Sequence, residues 1–359
     1  MATAPSQTRD DEAASAPPVA GGATGPLPAP RTGVITLVVA MVVLALFPLT
    51  AGTYGLDLVT KIMIYAIFAL SLELLVGQTG LVCFGQAAFF GIGGYVAVLL
   101  SPKYEAVSLW WLMPTAIGVA ALYALFVGSL SLRTRGIYFI MVTLAFAQMA
   151  YYVFHDTPVG RGTDGIYLYV KPDPSIGGVK VFDIDAAVPY YYFTLFWLVV
   201  VFVFLAVLLR SRFGRALAGI KANEQRMRAT GFSTYAYKLA AFTISGALAG
   251  VAGFLFVVKD GFVNPEMLSW HLSGAVLIMI ILGGLGHLRG AVLGAFAYAL
   301  LQELFQSQAV FGSFARHWHL SLGLTIIAAV ALLPRGLIGI PDEIRRRLTG
   351  RQRQVEDAR

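Results

Sequence analysis

Residues 210–238 read RSRFGRALAGIKANEQRMRATGFSTYAYK and lie between two long apolar runs. The stretch holds seven Lys and Arg residues and a single acid, Glu224. Short loops rich in Lys and Arg stay on the cytoplasmic side of a membrane. We therefore predict that this stretch is a cytosolic loop, and that it sets the orientation of every apolar segment on either side of it.

The composition supports a membrane protein. Of the 359 residues, 58% are hydrophobic and only 13% are charged, which leaves too little polar surface to cover soluble domains. The net charge of +7 lies in loops beside apolar runs, so the topology explains it without nucleic acid. Cys83 is the only cysteine, which excludes an internal disulfide and a zinc site made of cysteines.

Apolar runs of about 20 residues are long enough to cross the hydrocarbon core. The candidate segments are 34–51, 57–77, 82–100, 109–131, 136–154, 190–209, 239–258, 272–284, 290–306 and 320–334. Two of them, 82–100 and 272–284, are short or broken by glycine, which favours re-entrant or discontinuous helices buried against protein. The predicted fold class is an all-α polytopic membrane protein with about ten transmembrane or re-entrant helices.

The charges of the loops define the domain organisation. If 210–238 is cytosolic, then 155–189 is an external loop, and it holds three basic residues against five acids. Within it, the pattern from Lys171 to Asp185 predicts a short hairpin or an interfacial helix. Alternation through a transmembrane domain at 34–340 places both termini in the cytosol. These termini are a disordered tail over residues 1–33 and a basic tail over residues 341–359.

A glycine-rich stretch, GQTGLVCFGQAAFFGIGGY at residues 77–95, interrupts one apolar run. Six glycines at this spacing free backbone groups that must face protein, water or a solute. Such a break can line a pathway, and glutamine amides, which both donate and accept hydrogen bonds, would suit a small neutral or zwitterionic solute. The candidate pathway residues are Gln78, Phe84, Gly85, Gln86 and Gly91. The alternative is close helix packing at the glycines and ordinary interhelical hydrogen bonds at the glutamines.

Other polar residues predict little chemistry. Glu73 and Glu303 are carboxylates within apolar runs, where they would face the bundle interior or lie near the interfaces. No phosphate-binding loop motif is present, so the chain is not expected to hydrolyse nucleotides by itself. His317 and His319 lack a third ligand nearby, and we predict no metal, no cofactor and no catalytic residue.

The basic stretch is longer than a simple turn requires. Leu217, Ile220, Glu224 and Met227 recur at helical spacing, and Gly231 follows where a helix would be capped. A pair of short cytosolic helices is therefore predicted.

Several motifs together resemble the permease subunits of bacterial ATP-binding-cassette importers for branched-chain amino acids, of the LivM type. The resemblance covers about residues 55–340 and rests on QAAFFGIGGY at 86–95, LRTRGIY at 132–138, GTDGI at 162–166, the loop 211–231, ILGGLG at 281–286 and PRGL at 334–337. It implies a helical pore half in the inner membrane. It also implies a sister permease subunit, two cytosolic ATPase subunits and a periplasmic substrate-binding protein as partners. In the family the basic loop docks on the ATPase, which carries this role over to Arg215, Glu224 and Gly231.

Three alternatives remain from the residues alone. A urea or short-amide permease of the same family would need no different pore residues. An ion-coupled secondary transporter would use Glu73 or Glu303 as its ion site. A structural membrane protein would transport nothing.

Overall fold

The structure is a computed structural model, and it describes residues 39–50, 52–176, 179–180, 182–307, 311–333 and 336–339. The predicted tails at 1–33 and 341–359 lie outside the described residues. The chain divides into two compact units, Met1–Phe47 and Pro48–Arg359. Of the first unit the structure describes only residues 39–47, so the following account concerns the second.

The described residues are almost entirely helical, which confirms the predicted all-α polytopic fold. The helices are α1 Val39–Leu49, α2 Thr53–Glu73, α3 Gln86–Leu99, α4 Leu109–Ser131, α5 Ile137–Asp156, α6 Ala187–Arg210, α7 Arg212–Ala222, α8 Glu224–Ala229, α9 Thr234–Asp260, α10 Trp270–Gly283, α11 Leu288–Gln306 and α12 Trp318–Leu332. A π-helical turn, Leu74–Thr79, continues α2.

Helix length separates complete crossings from shorter elements. Among the described residues, six helices are long and apolar enough to cross a membrane, namely α2 with its π-turn, α4, α5, α6, α9 and α11. The two segments predicted to be broken form α3 and α10, each of 14 residues. At about 1.5 Å per residue, such a helix spans only about two thirds of a hydrocarbon core of about 30 Å.

Helices α2 and α9 form the centre of the bundle. Within the chain, 83% of the apolar window of α2 and 78% of that of α9 are buried, against 22% for α5 and 28% for α6. Hydropathy does not set this order, because α6 is more apolar than α2 and α9 and yet less buried, and an apolar face can lie against lipid as well as against protein. The outer helices surround α2, α3 and α9.

Glycine residues let the backbones of α3 and α9 pack in direct contact. A Cβ atom on Gly253 of α9 would lie 1.8 Å from the carbonyl oxygen of Phe90, and one on Gly93 of α3 would lie 2.4 Å from the carbonyl oxygen of Gly250. Such contacts are typical of small residues spaced four apart in membrane helices.

Replacement of Gly253 by alanine should therefore destabilise the bundle. The added methyl has no room, and overpacking of this kind costs about 1–3 kcal/mol. The matched control is Gly118→Ala in α4, because nothing lies within 4 Å of a Cβ atom there. We expect a lower thermal unfolding temperature in detergent for Gly253→Ala and an unchanged or higher one for Gly118→Ala. Equal unfolding temperatures for the two variants would contradict the close packing.

One end of the bundle, here called the opposite end, is joined by ion pairs and short strands. Lys61 Nζ lies 3.4 Å from Asp260 Oδ2, and Lys259 Nζ lies 3.5 Å from Asp57 Oδ1. The strands are β1 Ile166–Tyr167, β2 Ser175–Ile176, β3 Val179–Lys180 and β4 Phe262–Val263. Strand β1 pairs antiparallel with β4, and β2 pairs antiparallel with β3. The β2–β3 pair lies within the range where a hairpin or an interfacial helix was predicted.

The other end, here called the basic end, contains α7 and α8. Lys221 Nζ of α7 donates to the carbonyl oxygen of Gly77 at 2.6 Å, and Tyr235 Oη donates to the carbonyl oxygen of Ser129 at 2.8 Å. The end of α2, the end of α4 and the start of α9 therefore meet here. Successive helices alternate between the two ends only when the short helices α3 and α10 are counted with the long ones, as the ten-segment prediction requires.

Candidate functional site

The glycine-rich stretch forms a break between two helices. The π-turn after α2 ends at Gly80, whose φ angle is +73°, and α3 begins only at Gln86. The amide of Ala87 in the first turn of α3 donates to Ser273 Oγ of α10 at 2.9 Å. A hydroxyl from a neighbouring helix thus satisfies one of the amides that a helix start leaves without an intrahelical partner.

Gln86 lies at the centre of a polar cluster that is fully buried. Its Nε2 donates to Ser71 Oγ and to Ser245 Oγ, both at 2.9 Å, and Ser245 Oγ donates to the carbonyl oxygen of Ser71 at 2.6 Å. Together these residues, here called the Gln86 cluster, join α2, α3 and α9. Within the part of the chain that the structure describes, Oε1 of Gln86 has no hydrogen-bond partner. A buried acceptor without a partner costs about 1–3 kcal/mol, so the cluster carries an unused polar atom at a closely packed position.

The other candidate pathway residues occupy two environments. Gly85 and Gly91 are buried, and a Cβ atom on either would collide with a neighbour: the carbonyl oxygen of Thr143 at 2.8 Å or Leu268 Cγ at 2.4 Å. Gln78 and Phe84 are half-buried near the basic end. In this conformation the glycine-rich stretch is therefore closed by helix packing.

The serines that bind Gln86 and the amide of Ala87 were not among the predicted site residues. Ser71, Ser245 and Ser273 are each fully buried within apolar helices. A serine inside an apolar run is a weak signal, because its hydroxyl commonly bonds a carbonyl oxygen of its own helix, as Ser71 Oγ does with Phe68. Only the packing of the helices shows which serines also bind glutamine.

The basic stretch forms the predicted helix pair. Ser211 Oγ accepts from the amide of Phe213 at the start of α7, and Asn223 Oδ1 accepts from the amide of Arg226 at the start of α8. Helix α7 buries Leu217 and Ile220 against the bundle, whereas α8 buries no residue.

Gly231 ends α8 as predicted. Its φ angle is +86°, and its amide donates to the carbonyl oxygen of Arg228. The amide of Phe232 donates to the carbonyl oxygen of Met227. These two bonds form a Schellman motif, which requires a left-handed residue at the glycine position.

Glu224 is bonded within the loop itself. Its carboxylate accepts from Lys238 Nζ at 2.6 Å, from Arg228 Nη2 at 2.5 Å and from Thr234 Oγ1 at 3.2 Å. Glu224 therefore holds the first turn of α8 against the start of α9. Arg215 is exposed, and its Nη1 donates to the carbonyl oxygen of Arg210 at 3.2 Å.

The attachment of α8 should depend on pH. Burial by itself raises the pKa of Glu224, but the hydrogen bonds and positive charges of Lys238 and Arg228 outweigh it, and the net pKa lies below the ordinary value of 4.5. A lowered pKa in the folded state stabilises the loop fully above pH 4.5, and this stabilisation is lost as the pH falls through the lowered pKa. We expect faster amide exchange in α8 at acid pH, after correction for intrinsic rates. Glu224→Gln should remove this pH dependence, and a wild-type profile in that variant would contradict the assignment.

The two carboxylates within apolar runs lie at different ends of the bundle. Glu73 Oε1 accepts from the amide of Gly286 at 2.7 Å at the basic end, and Glu303 accepts from Tyr54 Oη at the opposite end. The structure does not bring them together. Among the described residues, no group of three or more His, Cys, Asp or Glu is arranged to hold a metal ion.

Helix α5 carries an open groove on its outer face. The groove has a volume of about 570 Å³ and is lined by Ala145, Gln148, Met149, Tyr152, Val153 and Thr157. Gln148 lies near the middle of this 20-residue helix, where an amide facing hydrocarbon would be costly. The amide of Gln148 is therefore better covered by protein or water than by lipid, whereas the rest of the lining is mostly apolar.

A bundle of apolar helices with a broken helix at its centre and a structured basic loop at one end defines a polytopic membrane transport protein. The chain belongs to the family of permease components of branched-chain amino acid transport systems, whose family model matches residues 54–331. It is a multi-pass protein of the bacterial inner membrane. The predicted resemblance is thereby confirmed.

Named relatives agree with the family. The chain is 30% identical to the high-affinity branched-chain amino acid transport system permease protein LivM of Salmonella typhimurium and 32% identical to LivM of Escherichia coli K12. Each match covers 84% of this chain and 74% of the relative. A shorter match, 35% identical over 28% of this chain and 31% of the relative, is to the autoinducer 2 import system permease protein LsrC of Escherichia coli. No solved structure matches the chain significantly.

Proposed function

We propose that this chain is a permease subunit of an ATP-binding-cassette importer that carries branched-chain amino acids into the cell. The observation that carries the proposal is the similarity to LivM over 84% of the chain. The folded helix pair at the basic end supports it, because a docking surface for another protein needs defined helices rather than a bare turn.

The partners proposed are a sister permease, two cytosolic ATPase subunits and a periplasmic substrate-binding protein. The ATPases would dock at α7 and α8, with Arg215 on the exposed surface and with Glu224 and Gly231 fixing the position of α8. The α5 groove supports a second permease as neighbour, since Gln148 at mid-helix is better covered by protein or by an aqueous pathway than by lipid.

The proposed solute pathway passes the glycine-rich stretch. Gln86 Oε1 is a buried acceptor without a partner at the junction of α2, α3 and α9, and a solute ammonium group is a donor that would satisfy it once the junction opens. Gly85 and Gly91 would allow the helices to repack, and Gln78 and Phe84 would lie at the basic end of the pathway. Alternating access then requires a second arrangement of these helices.

Reconstitution tests the proposal. The chain would be co-purified with the ATPases, the sister permease and the binding protein encoded with it, and placed in liposomes. Uptake of labelled leucine, isoleucine or valine that needs ATP and the binding protein is the expected result. ATP-dependent uptake of urea or a short amide instead would favour the related permease. Uptake by the single chain under an ion gradient, lost in Glu73→Gln or Glu303→Gln, would favour the ion-coupled transporter. No uptake in any arrangement would favour a structural role.

A further inference from the structure

A buried carboxylate lies where three segments of the basic end meet. Glu73 is the last residue of α2 and is fully buried, and a Cβ atom on Gly77 would lie only 1.8 Å from its Oε1. The carboxylate is thus folded against the glycine of the next turn. Oε1 accepts from the amide of Gly286 at 2.7 Å, in the turn between α10 and α11, and Oε2 has no hydrogen-bond partner among the described residues.

Two more hydrogen bonds converge on the same place. Gln78 Nε2 donates to the carbonyl oxygen of Gly286 at 3.2 Å, so side chains from the end of α2 and its π-turn hold both backbone groups of Gly286. Lys221 Nζ of α7 donates to the carbonyl oxygen of Gly77 at 2.6 Å. We call these five residues the Glu73 junction.

Close backbone contacts join α10 and α11 into a rigidly packed hairpin. A Cβ atom on Gly283 would lie 1.8 Å from the carbonyl oxygen of Gly290, and one on Gly294 would lie 1.9 Å from that of Met279. Backbones in such close contact cannot shift past each other without separating. A displacement of the turn at Gly286 would therefore be passed along the hairpin.

The beginning of α10, at the other end of the helix from Gly286, reaches the start of α3 next to the Gln86 cluster. Ser273 Oγ accepts from the amide of Ala87, the residue that follows Gln86 in the first turn of α3. A continuous series of hydrogen bonds and packed backbones thus runs from Lys221 through Glu73 and Gly286 to the start of α3. Continuity alone does not establish coupling, which requires that a change at one end alters the other.

We propose that Glu73 is a positioning residue that transmits displacement of α7 to the α10–α11 hairpin, and through it to the helix break at Gln86. The proposal rests on the proposed function only for the source of the displacement, which would be an ATPase bound at α7 and α8. The junction also accounts for a buried carboxylate at this position without an ion-transport role.

Amide hydrogen exchange at Gly286 tests the link in the full-length chain in lipid nanodiscs. Lys221→Met should accelerate this exchange about tenfold, because the junction loses one of its partly buried hydrogen bonds. Glu73→Leu should accelerate it at least as much, and Glu73→Gln, which keeps an acceptor oxygen, should remain near wild type. The matched control is Arg212→Met, which removes an exposed cation from the same helix and should change nothing at Gly286.

The double variant decides between coupling and independent effects. If Glu73 transmits the effect of Lys221, then adding Lys221→Met to Glu73→Leu should cause no further acceleration of amide exchange at Gly286. Should Glu73→Leu fail to fold, Gln78→Leu replaces it and the same non-additivity is expected. Additive effects, or an unchanged Gly286 amide in Lys221→Met, would overturn the proposal.

A second measurement separates this proposal from the proposed function. In the reconstituted complex, Lys221→Met and Glu73→Leu should lower uptake per ATP hydrolysed several-fold, whereas Glu73→Gln should keep this ratio near the wild-type value. A wild-type complex that neither hydrolyses ATP nor takes up solute would refute the proposed function and leave the exchange results intact. Normal exchange coupling with unchanged uptake per ATP in Glu73→Leu would refute the transmission role alone.

Discussion

Charge reversal at Glu224 combined with Gly231→Ala is expected to abolish coupled uptake while the chain remains inserted in the membrane. Glu224→Lys removes the acceptor of Lys238 and Arg228, and partly exposed ion pairs of this kind contribute about 0.3–1 kcal/mol each. Alanine at Gly231 must adopt a φ angle of +86°, which costs about 1–2 kcal/mol. A loss of about 3 kcal/mol changes the population of docked α8 by about a hundredfold.

The measurement compares uptake and ATP hydrolysis in the same reconstituted complex. We expect uptake to fall more than about tenfold, because a detached α8 cannot transmit movement. The matched control is Gln225→Lys, which places a lysine on the exposed neighbouring side chain and breaks none of the bonds of Glu224. Normal uptake in the double variant, or an equal loss in Gln225→Lys, would contradict the role proposed for the loop.

Gln86→Leu is expected to reduce uptake by about tenfold or more with little change in stability. Leucine is of similar size. The change removes the hydrogen bonds of Nε2, which destabilises the folded state, and it also removes Oε1, the acceptor without a partner, which stabilises it. Ser71 Oγ and Ser245 Oγ still donate to carbonyl oxygens after the change. A solute ammonium, however, would lose its acceptor, and one such bond is worth about 1.5 kcal/mol or about tenfold in binding.

The pair of readouts distinguishes a pathway role from a purely structural one. If Gln86 only joins helices, Gln86→Leu should lower the unfolding temperature and leave the uptake of the folded fraction normal. The control is Ser131→Ala, which removes another buried polar atom without a partner, at the end of α4. It should affect neither uptake nor solute affinity.

Local properties of the sequence predicted much of the fold. Length and hydropathy identified the apolar segments that the structure shows as helices, including the shortness of α3 and α10. Capping preferences predicted the helix pair and the end of α8 at Gly231, since those depend on residues only a few positions apart. The charges of the loops predicted which ends of the helices lie together.

The candidate site was predicted less completely. The glycine-rich stretch drew attention to Gln86, but not to Ser71 and Ser245, which bind it, because a serine within an apolar helix has no distinctive local pattern. The predicted role of Glu224 in coupling to an ATPase stays a prediction, but its bonds to Lys238, Arg228 and Thr234 were not predicted, because Lys238 and Thr234 lie beyond the end of its own helix.

The sequence by itself determined that this chain is a helical membrane protein with a basic end, because lipid selects for apolar length and the membrane sorts positive charge. Only the tertiary structure decided which polar groups meet inside it. Glu73 and Gly286 are 213 positions apart, and Gln86 and Ser245 are 159 apart. Their pairing follows from how glycine faces let helices approach, a property of packed surfaces that no short stretch of sequence contains.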